Sequence, residues 1–95
     1  MIKSFGDKET EKVFNGEFSR KLPTTIQLIA QLKLKNINLA NSLNDLVNPL
    51  SNHLEPLIGK RIGEWSIRIN KQWRITFTPI NNGRDYIDVK IEDYH

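Results

Sequence analysis

The clearest periodicity lies in the last third of the chain. From Glu64 onward apolar and polar residues alternate, with Trp65, Ile67 and Ile69 on one side and Ser66, Arg68 and Asn70 on the other. This period of two belongs to a strand with one buried face. Trp73, Ile75 and Phe77 then alternate with Arg74, Thr76 and Thr78, and beyond Asn81-Asn82-Gly83 a last strand sets Ile87, Val89 and Ile91 against Asp88, Lys90 and Glu92. Earlier in the chain the spacing lengthens. Met1 to Phe5 forms a first strand candidate, and Asp7 is placed to cap a short helix that carries Val13 and Phe14 and ends at Asn15-Gly16. Pro23 opens a second helix at its first turn, where the missing N–H costs nothing. Ile26, Ile29, Ala30, Leu34 and Ile37 form its apolar stripe. Ser42 and Asp45 resemble a capping pair for a third, short helix that buries Leu43, Leu46, Val47 and Leu50 and is stopped by Pro49. Everything after Pro49 reads as strand.

Register follows from the pattern, because cross-strand partners share a face and a one-residue slip inverts every side chain. A three-residue loop Asn70-Lys71-Gln72 pairs Ile69 with Trp73, Ile67 with Ile75 and Trp65 with Phe77. A second three-residue loop, Asn81-Asn82-Gly83 with Gly83 left-handed, pairs Phe77 with Ile87 and Ile75 with Val89. On the polar face Arg68 then opposes Arg74, and Arg74 opposes Lys90, a row of cations across adjacent strands. The predicted architecture is α+β: N-terminal helices packed on one face of a twisted, mainly antiparallel sheet whose polar face meets solvent.

With 95 residues the chain suits one domain, residues 1–95. It has no cysteine, which excludes disulfides and thiolate chemistry. No apolar run approaches the ~20 residues of a membrane span and no signal peptide is evident, so the expectation is a cytoplasmic protein with no membrane partner. The net charge of +3 is concentrated: Lys60, Arg61, Arg68, Lys71 and Arg74 stand against the single acid Glu64 in that stretch. Like charges opposed on neighbouring strands cost roughly 0.2 to 1 kcal/mol. A polyanion offsets that cost, since phosphates bound by Lys and Arg release counterions and arginine matches phosphate geometry. The competing reading is a solvated basic face neutralised by Asp88 or Glu92. His53 has only Glu55 near it at ligand spacing, so no metal site is expected. Trp65 and Trp73 fall on the apolar face and read as core rather than as base-stacking platforms. The ending Glu92-Asp93-Tyr94-His95 supplies a histidine that titrates near neutrality.

Gly63-Glu64-Trp65-Ser66-Ile67-Arg68-Ile69-Asn70, Gln72-Trp73-Arg74-Ile75-Thr76-Phe77 and the terminal Glu92-Asp93-Tyr94-His95, with the opening Met1-Ile2-Lys3-Ser4-Phe5, carry a resemblance. The chain resembles the HigB-type plasmid-maintenance killer toxins, a branch of the RelE/ParE superfamily. The likeness spans essentially the whole chain and is tightest from Leu54 onward. It implies a small α+β domain and a type II toxin that cleaves mRNA in the decoding site of the 70S ribosome, with no cofactor and no metal. It also implies a co-encoded helix-turn-helix antitoxin that represses the operon, so that operator DNA is reached only through the antitoxin complex. The implied reaction is attack of a ribose 2'-hydroxyl on the adjacent phosphate. By resemblance Arg74 stabilises the developing charge with support from Arg68, and His95 exchanges protons with the nucleophile or leaving group. Asp93 orients or shares that role, and Tyr94 stacks on or positions a base. Lys60, Arg61, Lys71 and Lys90 are expected on RNA backbone. Some relatives have histidine where this chain has Glu55 and lysine where it has Ile58, both implicated in activity there. The alternatives are a ParE-like poison of DNA gyrase or an inactive nucleic-acid-binding relative; the terminal Asp-Tyr-His argues for the nuclease.

Overall fold

The computed structural model describes residues 1–93, so Tyr94 and His95 lie outside the described residues. Two helices, α1 (Lys8–Phe14) and α2 (Thr24–Leu39), precede a four-stranded sheet of β1 (Glu55–Pro56), β2 (Trp65–Arg68), β3 (Trp73–Ile80) and β4 (Asp85–Asp93). The strands lie in chain order and each pair is antiparallel. The helices cover the apolar side, where Val13, Ala30, Leu34 and Ile37 join Ile67, Ile75, Phe77, Tyr86, Val89 and Ile91 in one buried cluster.

Local chemistry sets the helix ends. The Asp7 carboxylate accepts from the Thr10 N–H at 2.8 Å, and Gly16 follows the last turn of α1 at φ 81°. Pro23 stands one residue before α2, with its fixed φ compatible with the entry. Ile26, Ala30, Leu34 and Ile37 are buried as expected, but Ile29 is exposed. At 3.6 residues per turn it lies roughly 60° beyond Ile26 on the side away from Ala30 and Leu34, outside the stripe. The third helix is a single 3₁₀ turn, Leu43–Leu46, with Asp45 accepting from the Asn41 N–H rather than closing a capping box with Ser42. One turn presents one face, so Leu46 is buried while Val47 and Leu50 are exposed. Residues after Pro49 include three further 3₁₀ turns, Leu50–Asn52, Gly59–Arg61 and Asn81–Gly83, so the segment is not strand throughout.

The first strand candidate is reduced to two parallel bridges onto β4, Ile2 to Tyr86 and Phe5 to Val89. The Lys3 and Gly6 N–H groups donate to the Tyr86 and Val89 carbonyls, each at 2.8 Å. Between these bridges β4 is irregular, which prevents a continuous ladder. Asp88 adopts φ 54°, and its N–H is taken by the Ser4 hydroxyl.

The β2–β3 hairpin has the expected register, with Trp65 opposite Phe77, Ile67 opposite Ile75 and Arg68 opposite Arg74. The Asn70 side-chain oxygen accepts from the Gln72 and Trp73 N–H groups and fixes the loop. The β3–β4 register departs from expectation. Arg74 opposes Glu92, Ile75 opposes Ile91 and Thr76 opposes Lys90, and after a shift next to Phe77 the pairing resumes as Thr78 with Ile87 and Ile80 with Asp85. Two residues, Asp88 and Val89, therefore face Phe77 alone, a β-bulge in which Asp88 is the inserted residue. The extra residue exchanges the faces of β4, so Tyr86 rather than Ile87 enters the core, edge-on to Phe77 with ring centroids 5.3 Å apart. The loop to β4 is one residue longer than inferred, with Asn81 and Asn82 left-handed as well as Gly83.

Candidate active site

The polar side of the sheet carries two rows of side chains. One runs Glu55, Ser66, Thr76, Lys90 across all four strands, and the next runs Arg68, Arg74, Glu92. The expected row Arg68, Arg74, Lys90 is thus corrected: the longer loop and the bulge at Asp88 each shift β4 by one residue, so Lys90 moves to Thr76 and Glu92 sits opposite Arg74. Lys90 remains on the same face at a diagonal position, a separation on the order of 7–8 Å between such neighbours. The like-charge cost applies to Arg68 and Arg74 alone, and the Glu55 carboxylate, 3.0 Å from Arg74 Nη2, offsets part of it.

This side is not an open polar surface. Ser66, Arg74 and Thr76 are buried, with Arg74 only 3% exposed, because two segments outside the sheet close over them. The first is the turn that ends at His53, which is held left-handed at φ 45° and not in a strand. It directs the His53 carbonyl to the Arg74 Nη2 at 2.8 Å. Next to it, Glu55 on β1 places its carboxylate 3.0 Å from the same nitrogen, while the Arg74 Nε donates to the Ser66 hydroxyl at 2.8 Å. The guanidinium is planar and carries donors in fixed directions, so these partners set its plane. Glu55 itself is half-exposed and forms the solvent boundary of the cluster.

The second segment is the turn Gly59–Arg61. Arg61 reaches Glu64 at 2.8 Å and Glu92 at 2.5 Å, and Glu92 also accepts from the Thr76 hydroxyl. Burial of Glu92 would raise its pKa, but the Arg61 guanidinium and the Thr76 hydroxyl outweigh it and hold the carboxyl below the ordinary glutamate value. The same carboxylates push the Arg61 pKa upward. Arg61 is therefore committed to anchoring its loop on the sheet, although the sequence places it among the RNA-contacting residues. Lys60 beside it and Lys71 in the β2–β3 loop are exposed, as is Lys90.

Of the sequence-predicted residues, Arg68, Arg74 and Lys90 share one face, with Arg61 at its margin. Asp93 lies opposite Trp73, on the other side of the strand from Glu92, and accepts from Gln72 Nε2 at 3.0 Å. Tyr94 and His95 are outside the described residues. The residues that sequence reasoning missed are Glu55, Ser66 and Thr76, whereas Glu92 was expected only as an acid neutralising the basic face. Alternation alone puts Ser66, Thr76 and Glu92 on the arginine face, and Glu55 was noted only as a neighbour of His53 and as a departure from relatives. Among the described residues no group of three His, Cys, Asp or Glu is placed to hold a metal, and no helix is long and apolar enough to cross a membrane.

Residues 3–95 match the family described as RelE-like toxin of type II toxin-antitoxin system HigB. The chain is 38% identical over 95 residues to Endoribonuclease HigB of Proteus vulgaris, with both chains covered completely. It is 35% identical over 78 residues to Toxin HigB-1 of Vibrio cholerae, covering 81% of this chain and 82% of that one. Among solved structures it resembles the YoeB–YefM complex of Staphylococcus aureus, with a TM-score of 0.57 at 18% identity over 100% of this chain and 95% of that one. A TM-score of 0.51 at 13% identity relates it to the RelBE2 toxin-antitoxin complex of Mycobacterium tuberculosis, over 99% and 96% of the two chains. At such identities those two likenesses speak for the fold. By its family match and its full-length relative, the chain belongs to the HigB-like, RelE-fold toxins of type II toxin-antitoxin systems.

Proposed function

We propose that this toxin is an endoribonuclease that arrests growth by cutting mRNA on the 70S ribosome in the cytoplasm, and that a co-encoded antitoxin restrains it. The observation that carries the reading is Arg74: a buried arginine whose plane is fixed by Ser66 and the His53 carbonyl and whose Nη2 already holds an anion, the Glu55 carboxylate. The Proteus vulgaris relative named as an endoribonuclease supports the reaction class.

In this mechanism an RNA phosphate docks beside Arg74, with Arg68, Lys90, Lys60 and Lys71 holding the flanking backbone. The ribose 2'-oxygen attacks the adjacent phosphorus, the P–O5' bond breaks, and the products carry a 2',3'-cyclic phosphate and a 5'-hydroxyl. Glu55 accepts the 2'-hydroxyl proton, and His95 donates a proton to the departing 5'-oxygen. Arg74 binds the charge that builds on the nonbridging oxygens; its orientation is fixed before the reaction, so little reorganisation opposes it. Asp93 and Tyr94, adjoining His95, position it and the base. Ribosome dependence fits a face on which Glu55, Glu64 and Glu92 interrupt the cations, because free RNA then finds no continuous basic track.

The test is cleavage of a defined mRNA by the purified chain with and without 70S ribosomes, followed by end-group analysis. Cyclic phosphate and 5'-hydroxyl ends that form only with ribosomes support the reading. Intact mRNA together with trapped gyrase–DNA complexes would replace it with gyrase poisoning.

A further inference from the structure

The helix that covers the sheet is apolar on two opposite sides. Ile26, Ala30, Leu34 and Ile37 face the core, and Leu28, Leu32 and Leu39 face outward at 68%, 58% and 75% exposure. Positions 28, 32, 35 and 39 are spaced by four, three and four residues, the heptad seam by which one helix packs along another. The third of these positions is Lys35, whose ammonium stands over the Phe14 ring at 3.9 Å. Exposed Ile29 flanks the seam, and exposed Phe18 and Leu28 border a shallow depression above Val13 that extends it toward α1.

From this seam we infer that the outer face of α2 docks an amphipathic helix of the cognate antitoxin, with leucine-class residues at heptad spacing and a carboxylate facing Lys35. The inference rests on the proposed antitoxin reading and adds where, and through what chemistry, that partner binds. Charge selects the occupant. Helix α2 contains Lys33 and Lys35 and no acidic residue, and Lys33 is already turned inward to the Asn52 side chain. If two copies paired seam to seam about a two-fold axis, both Lys35 ammoniums would fall within about one helical turn of each other with no acid on either helix to separate them. A partner helix with an acid at the facing position removes that conflict and sets register, as a single polar seam position does in coiled coils.

The test uses the full-length chain and the purified product of the adjoining antitoxin gene. Leu32→Glu should weaken the complex at least 100-fold, and Lys35→Glu about 10-fold, with recovery when a facing glutamate of the partner is changed to lysine. Both variants should still arrest growth when expressed alone, because the seam lies on the opposite side of the sheet from Arg74, but co-expressed antitoxin should no longer rescue it. Rescue and binding of both variants at wild-type strength would overturn the docking face while leaving the antitoxin reading intact. A wild-type chain that the antitoxin neither binds nor neutralises would overturn that reading and this inference with it. A homodimer in sedimentation that Leu32→Glu dissociates would overturn the choice of occupant.

Discussion

In the proposed mechanism Arg74 links the sheet to the chemistry, and its neighbours determine what each substitution should do. Arg74→Lys keeps one positive charge but cannot hold Ser66, His53 and Glu55 from one rigid plane. Cleavage should fall by about 10²- to 10³-fold while circular dichroism reports a folded domain. Glu55→Gln leaves an acceptor for Arg74 but removes the base, and should cost about 10²- to 10⁴-fold in cleavage rate with ribosome binding unchanged; wild-type rates in this variant would remove Glu55 from the mechanism. Glu92 governs a pH effect. Its folded-state pKa lies below the ordinary value, so its stabilisation is complete above the unfolded glutamate pKa and is lost as pH falls through the folded one. The melting-temperature gap between wild type and Glu92→Gln should therefore be widest near neutrality and shrink as pH falls below the ordinary glutamate value of about 4.3. Inside the core, the Tyr86 hydroxyl is buried with no hydrogen-bond partner among the described residues. Tyr86→Phe should match or exceed wild-type stability, by up to about 1 kcal/mol in denaturant titration.

The elements differ in how openly the sequence announced them. The Asp7 cap, the inward stripe of α2 and the β2–β3 register were legible because each depends on residues within a turn or two of one another. The β3–β4 register was not. Ile87, Val89 and Ile91 alternate whether or not a residue is inserted, so periodicity could not reveal that Asp88 is left-handed and that Tyr86 takes the core place expected of Ile87. Together with the longer loop, that residue also decided which side chain meets Arg74, so the candidate site was only as legible as the register. The closure over Arg74 by His53 and Glu55 comes from a segment with no regular period. If the bulge has this structure, Asp88→Gly should be more stable than Asp88→Ala by about 1 kcal/mol, since glycine occupies the left-handed region without a Cβ penalty. The reverse order would argue for an unbulged strand.

On the scale of the whole molecule the sheet separates two kinds of surface. One side places Arg68, Arg74 and Lys90 among carboxylates, the face proposed to hold and cut RNA, and the helix on the other side carries the exposed leucine seam proposed to dock the antitoxin. The net charge of +3 is too small to direct the chain to RNA indiscriminately. Its action should accordingly be confined to translated transcripts. Mapping RNA 5' ends across the transcriptome after brief induction, in parallel for wild type and Arg74→Lys, tests this most directly. New 5'-hydroxyl ends within reading frames for wild type, absent for the equally abundant and folded variant, are the predicted result. The same ends in both strains, or growth arrest without new ends, would contradict the assignment of Arg74 and its sheet face to RNA cleavage.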